Sequence, residues 1–181
     1  MLDSGAYSAW KGNKGVDIDD YIDYVKRNKE VIEHFINLDV IGDCQKSYEN
    51  FLYMKNKGLN PLPVFHWKSD MKWLDMYVDL GCKYICLGGT TQERNKRKVA
   101  KWYSGLKKKH PSIKFHLLGS SSPKILSTNI YSCDSTTYIN KAMTQVYCKE
   151  DNSDLSPRGR GFKKNDYVVK YMHDTETYVS I

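Results

Sequence analysis

Acidic and histidine side chains recur at the ends of short apolar runs in this sequence. The acids are Asp3 in LDSGAYS, Asp39 in NLDVIGD and Asp134 in YSCDSTTY, and the histidines are His66 and His116. Two carboxylates at the same edge of a sheet can cleave a glycosidic bond, because one attacks the anomeric carbon while the other donates or accepts a proton. Separate acids also suit guanine, whose N1–H and exocyclic amine are hydrogen-bond donors.

Each of these residues also has an ordinary structural explanation. An acid after a strand often caps the next helix or satisfies a loop. His66 lies between Phe65 and Trp67, as a half-buried structural histidine would, and Gly88 with Gly89 is typical of a tight turn. A divalent cation is a further alternative, since aspartate and histidine are metal ligands, but the chain has no HxH or HExxH spacing. The functional interpretation therefore requires that side chains from different strands converge.

The elements that would position these side chains alternate along the chain. Apolar runs predict strands at 2–8, 34–42, 59–67, 83–89, 113–119 and 129–138. Helical periodicity, caps and stop signals predict helices at 17–32, 47–58, 69–81, 90–111 and 122–127. Strand and helix thus alternate about five times, and a sixth strand follows.

This alternation predicts an α/β fold with parallel strands and crossover helices. Both an open doubly wound sheet and part of a (β/α)8 barrel fit the pattern, and the absence of GxGxxG after the first strand disfavours a dinucleotide fold. A complete barrel takes about 250 residues, whereas this chain has 181. We expect a barrel portion that carries the site at 1–140, followed by a polar, basic loop and closing segment at 141–181.

The net charge of +7 favours an acidic partner such as nucleic acid. Positive residues cluster in ERNKRKVAKW and LKKKHP, which share one helical pattern and could simply form a solvated face. A third cluster, SPRGRGFKK, combines Arg158, Arg160 and Lys163 with glycines. That composition suits a mobile loop that grips phosphate.

Cysteine usage and hydropathy indicate the compartment. The chain has five cysteines, at Cys44, Cys82, Cys86, Cys133 and Cys148. Their odd number argues against a disulfide framework, and their spacing does not provide the four ligands of a structural zinc site. They are expected to be buried, reduced thiols. No run approaches the roughly 18 apolar residues of a membrane span, and the start is not a secretory signal. We therefore expect a cytoplasmic protein with no membrane partner.

The motifs LDSGAYS, NLDVIGD, PVFHW, CLGG and YSCDSTTY, in this order, resemble the tRNA-guanine transglycosylase superfamily. The closest likeness is to its short branch that includes the DNA 7-deazaguanine transglycosylases of bacteria and phages, and it extends from Leu2 to about Tyr138. The resemblance implies a TIM barrel. It also implies a pentosyltransferase that exchanges guanine in DNA or tRNA for a free 7-deazaguanine, as in queuosine-type modification, and consumes no cofactor.

The resemblance also implies two catalytic residues. Asp134 matches the family's nucleophile, which forms a covalent link to C1′ of the sugar, and Asp3 matches the acid that transfers the proton. The target nucleotide would be extruded from its helix. The basic helix and the loop that carries Arg158 and Arg160 would hold the nucleic-acid backbone.

The resemblance also implies which residues recognise the base. Asp39 matches the acid that recognises the donor edge of the base, and Gly88 with Gly89 matches the glycine pair whose backbone approaches it. His66 stands where the family has a polar base contact, and Ser4 is expected to hydrogen-bond near the base.

The chain departs from the family pattern in two respects. Only Cys148 follows the matched nucleophile, so the family's zinc site is expected to be absent. The barrel's opening strand is also missing from the pattern, which predicts a shortened barrel, with a partner subunit or a missing N-terminal segment supplying the rest. A catalytically impaired relative that binds nucleic acid or deazaguanine, and an unrelated metal-dependent hydrolase, are the alternative functions.

Overall fold

The computed structural model describes residues 1–6, 12, 15–120, 122–128 and 130–134. The predicted segment 141–181, with Arg158, Arg160, Lys163 and Cys148, lies outside the described residues. Within the described part of the chain, no helix has the length and the apolar character needed to cross a bilayer.

The described residues form five α-helices. They are α1 (Ile18–Arg27), α2 (Cys44–Asn56), α3 (Met71–Asp79), α4 (Lys96–Lys109) and α5 (Pro123–Leu126). The first four begin after an Asp or Asn whose side chain accepts hydrogen bonds from the first turn: Asp17, Asp43, Asp70 and Asn95. Such caps satisfy backbone amides that have no partner within the helix.

Three helix predictions were wrong at one end. The helix predicted for 47–58 begins at Cys44, because Asp43 is its N-cap. The helix predicted for 17–32 ends at Arg27, because Asn28 leaves the helical conformation and its side-chain amide donates to the carbonyl of Tyr24. The helix predicted for 90–111 begins only at Lys96, because Asn95 is its N-cap. Residues between Gly89 and Asn95 therefore form a loop, which lies beside the candidate site.

The strands form a four-stranded parallel sheet. They are β1 (Val64–His66), β2 (Tyr84–Gly88), β3 (Lys114–Leu117) and β4 (Ser132–Cys133), and they are adjacent in chain order. The α/β class with parallel strands is thereby confirmed. Because the strands are parallel, their carboxyl ends share one edge of the sheet, hereafter the carboxyl edge.

Two isolated parallel bridges continue the same order toward the N-terminus. Leu2 pairs with Phe35, and Ile36 pairs with Leu62 just before β1. The predicted strands at 2–8 and 34–42 are therefore reduced to bridges among the described residues. The short pairing still brings Asp3 and Asp39 toward the carboxyl edge.

The side chains of the strands alternate between two apolar layers. The larger cluster joins the sheet to the helices, and includes Phe51, Phe65, Tyr77, Ile85, Leu87, Val99, Phe115 and Leu117. The smaller cluster, on the other face, contains Ile36, Leu62, Val64 and Cys86, with Tyr84 and Leu118 packed against it. None of its members belongs to a described helix. This second face is called the inner face below, and it carries the candidate site.

Candidate functional site

Asp134 directly follows β4 at the carboxyl edge. Its Oδ1 accepts a hydrogen bond of 2.6 Å from the backbone amide of Gly119, and its own amide donates to the carbonyl of Leu117 at 3.2 Å. Burial by itself raises the pKa of this carboxyl, but the His116 imidazole and the Gly119 amide outweigh it and hold the pKa below its usual value. Asp134 is therefore an ionised carboxylate at neutral pH.

A chain of polar side chains on the inner face leads to Asp134. The Tyr84 hydroxyl lies 2.7 Å from Ser132 Oγ, which lies 2.9 Å from His116 Nδ1. His116 Nε2 faces Asp134 Oδ1 at 3.6 Å, and this buried nitrogen has no hydrogen-bond partner among the described residues. The contact is longer than a hydrogen bond, and it joins a buried imidazole to a carboxylate whose side chain is 58% exposed.

Sequence reasoning named His116 as a strand residue but did not assign it to the site, and it missed Tyr84 and Ser132. The available signal was the alternation of side chains along a strand. His116 pairs in register with both Cys86 and Ser132, so all three belong to one row across the sheet. Recognising that row requires the register of pairing, which no local pattern specifies.

Asp39 and His66 form a second polar pair. Asp39 Oδ2 lies 2.8 Å from His66 Nε2, with side chains that are only 10% and 11% exposed. The turn that carries Asp39 is attached to the first turn of α2, because Ser47 Oγ accepts from the Val40 amide at 2.8 Å. His66 is held as the last residue of β1. His66 was expected to contact a base by itself, but in the structure it is bound to Asp39.

Gly88 makes room for this pair. A Cβ at Gly88 would lie 2.7 Å from Cδ2 of His66 and 3.0 Å from Cγ1 of Val64, which is closer than real Cβ atoms approach. Gly89 has a φ of +75°, as a turn at the strand end requires. The described structure therefore explains the glycine pair by the packing of His66 and by the turn.

Asp3 and Ser4 form a local turn. Asp3 Oδ1 accepts from the Gly5 amide at 3.3 Å, and the buried Ser4 Oγ accepts from the Ala6 amide at 3.3 Å. Backbone hydrogen bonds from Leu2 to the carbonyl of His34 and from Ile36 to the carbonyl of Leu2 attach this turn to the sheet. Asp3 itself is exposed. Its carboxylate is thus directed by its own turn and is open to solvent.

The three acids each lie at the carboxyl edge. Asp3 follows the bridge at Leu2, Asp39 is bound to His66 at the end of β1, and Asp134 directly follows β4. Burial is the main cause that raises the pKa of the Cys86 thiol on the inner face of β2, and the negative charges of Asp134, Asp39 and Asp3 raise it further.

A metal ion is the alternative occupant of this edge. In the described part of the chain, no three His, Cys, Asp or Glu side chains are arranged to hold a metal ion. The sequence matches no protein-family model, and the chain matches neither a curated protein nor a solved structure. The site is therefore interpreted from its own geometry, in which the ionised Asp134 and the Asp39–His66 pair lie at the ends of neighbouring parallel strands.

Proposed function

We propose that this protein is a base-exchange transglycosylase that replaces guanine in a nucleic acid with a 7-deazaguanine. We propose that the chain is related to the tRNA-guanine transglycosylase superfamily and most similar to its DNA-modifying branch. The single observation that carries it is that Asp3, Asp39 and Asp134 follow separate parallel-paired segments and lie at the same carboxyl edge, where Asp39 is bound to His66 at 2.8 Å. A shortened (β/α)8-type barrel is the proposed architecture, supported by the parallel strands in sequential order and by helices packed on one face.

The first chemical step is displacement of guanine. A carboxylate oxygen of Asp134 attacks C1′ of an extruded nucleotide, a C1′–O bond forms, and the bond from C1′ to N9 of guanine breaks. Guanine leaves with the bonding electrons and takes a proton from Asp3. Both contacts at Asp134 are to Oδ1, and Oδ2 makes no hydrogen bond to the described residues, so Oδ2 is the attacking atom.

The second step reverses the first with a new base. Asp3 takes the N9 proton of the incoming 7-deazaguanine, which attacks C1′ and breaks the ester bond to Asp134. The sugar configuration is retained after two displacements, as in two-carboxylate retaining glycosidases. The incoming base replaces the outgoing base, and the proton that Asp3 gives up in the first step returns to it in the second. The reaction therefore needs no oxidant, reductant or nucleoside triphosphate.

Base recognition is assigned to Asp39. His66 engages Oδ2 of Asp39, whereas Oδ1 makes no hydrogen bond to the described side chains or amides. A carboxylate held at one oxygen presents the other in a defined direction, which suits the N1–H and amine of guanine or of a deazaguanine. Ser4 and the backbone at Gly88 and Gly89 complete the proposed base-binding set.

Binding of the polymer is assigned to basic residues. Helix α4 carries lysines in its last turn, at Lys107, Lys108 and Lys109. Arg158, Arg160 and Lys163 are proposed as further backbone contacts. DNA or tRNA and a free deazaguanine are the proposed partners, with a second subunit or further chain segment completing the barrel, in a cytoplasmic setting.

The test is incorporation of labelled guanine into DNA and, separately, into tRNA. The wild type is expected to incorporate label into one polymer, and Asp134→Asn to incorporate none, because the amide cannot form the ester. Asp79→Asn is the matched control, since Asp79 is exposed at the end of α3, away from the carboxyl edge.

A denaturing gel gives an independent reading of the nucleophile. With nucleic acid and no second base, the wild type should form a covalent adduct that Asp134→Asn does not form. Label incorporation by Asp134→Asn at the wild-type rate would contradict the assignment. Polymer binding without incorporation by the wild type would favour the non-catalytic relative instead.

A further inference from the structure

A cationic cleft lies on the carboxyl edge, apart from the acids. It has a volume of about 450 Å³ and is lined by Arg94, Asn95, Lys96, Arg97, Ser122 and Lys124. These residues come from the loop after β2 with the start of α4, and from the loop after β3 with the start of α5. Sequence reasoning had treated the first of these runs as part of a basic helix face.

The cleft is adjacent to Asp134 through the two loops. Thr91, in the first loop, contacts Gly119, in the second, so closely that a Cβ at Gly119 would lie 2.6 Å from Cγ2 of Thr91. The amide of Gly119 in turn donates to Asp134. Asp134 is therefore connected through Gly119 and Thr91 to the two loops that carry the cleft residues.

The cations of the cleft are only partly neutralised. No described carboxylate lies within ion-pair distance of Arg94, Arg97 or Lys124. Burial lowers the pKa of Lys96, and the negative charge of Glu93 offsets this in part, while its ammonium donates to the carbonyl of Thr90 at 2.9 Å. The remaining like charges repel one another, and a bound anion reduces that repulsion.

The chemistry of the lining favours phosphate among anions. Two guanidinium groups present paired donors that match phosphate oxygens, and the Ser122 hydroxyl adds a neutral donor. Helix α4 begins at Lys96, and the positive end of its dipole faces the same side as these cations.

We propose that this cleft binds a backbone phosphate of the nucleic-acid strand, next to the nucleotide whose base lies at the acids. The phosphate site follows from the cleft itself, and only its position beside a reacting nucleotide rests on the proposed function. Binding there would hold C1′ of the neighbouring sugar near Asp134 while the base is outside the stack. The cleft is thus a positioning site for the strand and carries no chemistry.

The experiment measures binding of a 12-nucleotide oligothymidylate by fluorescence anisotropy over a range of salt concentrations. This probe has no guanine, so its binding is independent of base exchange. Arg94→Ala/Arg97→Ala is expected to weaken binding roughly tenfold at low salt, and to reduce the slope of log K against log salt by about 1. Lys26→Ala/Lys83→Ala is the matched control, because it removes the same charge from exposed positions to which no binding role is assigned, and it should change binding and slope less.

Additional measurements identify the ligand and control for misfolding of the variant. An uncharged methylphosphonate oligothymidylate should not bind, and inorganic phosphate should compete with the charged probe in the wild type but not in Arg94→Ala/Arg97→Ala. Arg94→Lys/Arg97→Lys should recover most of the salt slope if the variant is folded. Equal losses in the cleft variant and the control, or no binding by the wild type, would overturn the proposal. Intact binding with no base exchange would refute only the proposed function.

Discussion

His116 Nε2 faces Asp134 Oδ1 at 3.6 Å, while its Nδ1 lies 2.9 Å from Ser132 Oγ. When Ser132 donates its proton to Nδ1, the imidazole carries a proton on Nε2 and presents it to the carboxylate. The Tyr84 hydroxyl, 2.7 Å from Ser132 Oγ, completes the chain. His116 thus acts as a positioning residue that keeps Asp134 ionised and oriented.

Removal of His116 should change the pH profile of exchange. His116 helps to lower the pKa of Asp134, and the ionised form attacks, so activity is present above that pKa and is lost as the pH falls through it. In His116→Gln the pKa of Asp134 should rise, so the acid limb of kcat/KM should move to higher pH, while the rate at neutral pH, where the carboxylate stays ionised, should change little.

The matched control for this profile is His110→Gln, which alters a histidine that faces Asp75 at 3.4 Å, outside the site. Its acid limb should coincide with that of the wild type. A His116→Gln profile that only scales downward, with its limb unmoved, would show that His116 does not act through the ionisation of Asp134.

The Asp39–His66 pair should contribute strongly to stability. Both side chains are about one-tenth exposed, so removal of one partner leaves the other buried without compensation. His66→Gln or Asp39→Asn should each lower the free energy of unfolding by about 3 kcal/mol. The double variant should lose clearly less than the sum, as measured by urea denaturation. Additive losses would mean that the two groups are not coupled.

Gly88→Ala should damage the same pair indirectly. The new Cβ would meet Cδ2 of His66 at 2.7 Å, so the imidazole must move away from Asp39. We expect a loss of about 1 to 3 kcal/mol in the free energy of unfolding. Gly105→Ala is the control, because a Cβ there meets nothing within 4 Å in a helix interior, and it should stabilise by about 0.5 to 1 kcal/mol. Equal effects at both positions would contradict this packing.

The Cys86 thiol tests the packing of the inner face. Cys86 is fully buried, and burial raises the pKa of its thiol, so it should react slowly with iodoacetamide in the native protein. Cys133, which is only partly buried, is the matched comparison and should be alkylated faster, as measured by mass spectrometry. Equal rates for the two thiols in the native protein would contradict the burial of Cys86.

Much of the fold follows from local signals. The predicted helices and the α/β class with parallel strands were recovered, because apolar periodicity and Asp or Asn caps act within a few residues. Errors fell where competing local bonds decide, as at Asn28 and Asn95. The predicted strand at 34–42 was reduced to bridges at Phe35 and Ile36, since an apolar run shows that a segment is buried but not how much of it pairs.

The sequence by itself determined which chemistry-bearing residues follow which elements, and it predicted that Asp3, Asp39 and Asp134 share one edge if the strands are parallel. The parallel pairing itself is a property of the tertiary structure. Only the tertiary structure decided that His66 binds Asp39, that His116, Ser132 and Tyr84 form a chain to Asp134, and that Thr91 touches Gly119. The physical reason is that these contacts join residues far apart in the chain and depend on strand register, where a shift of one residue would turn each side chain to the opposite face.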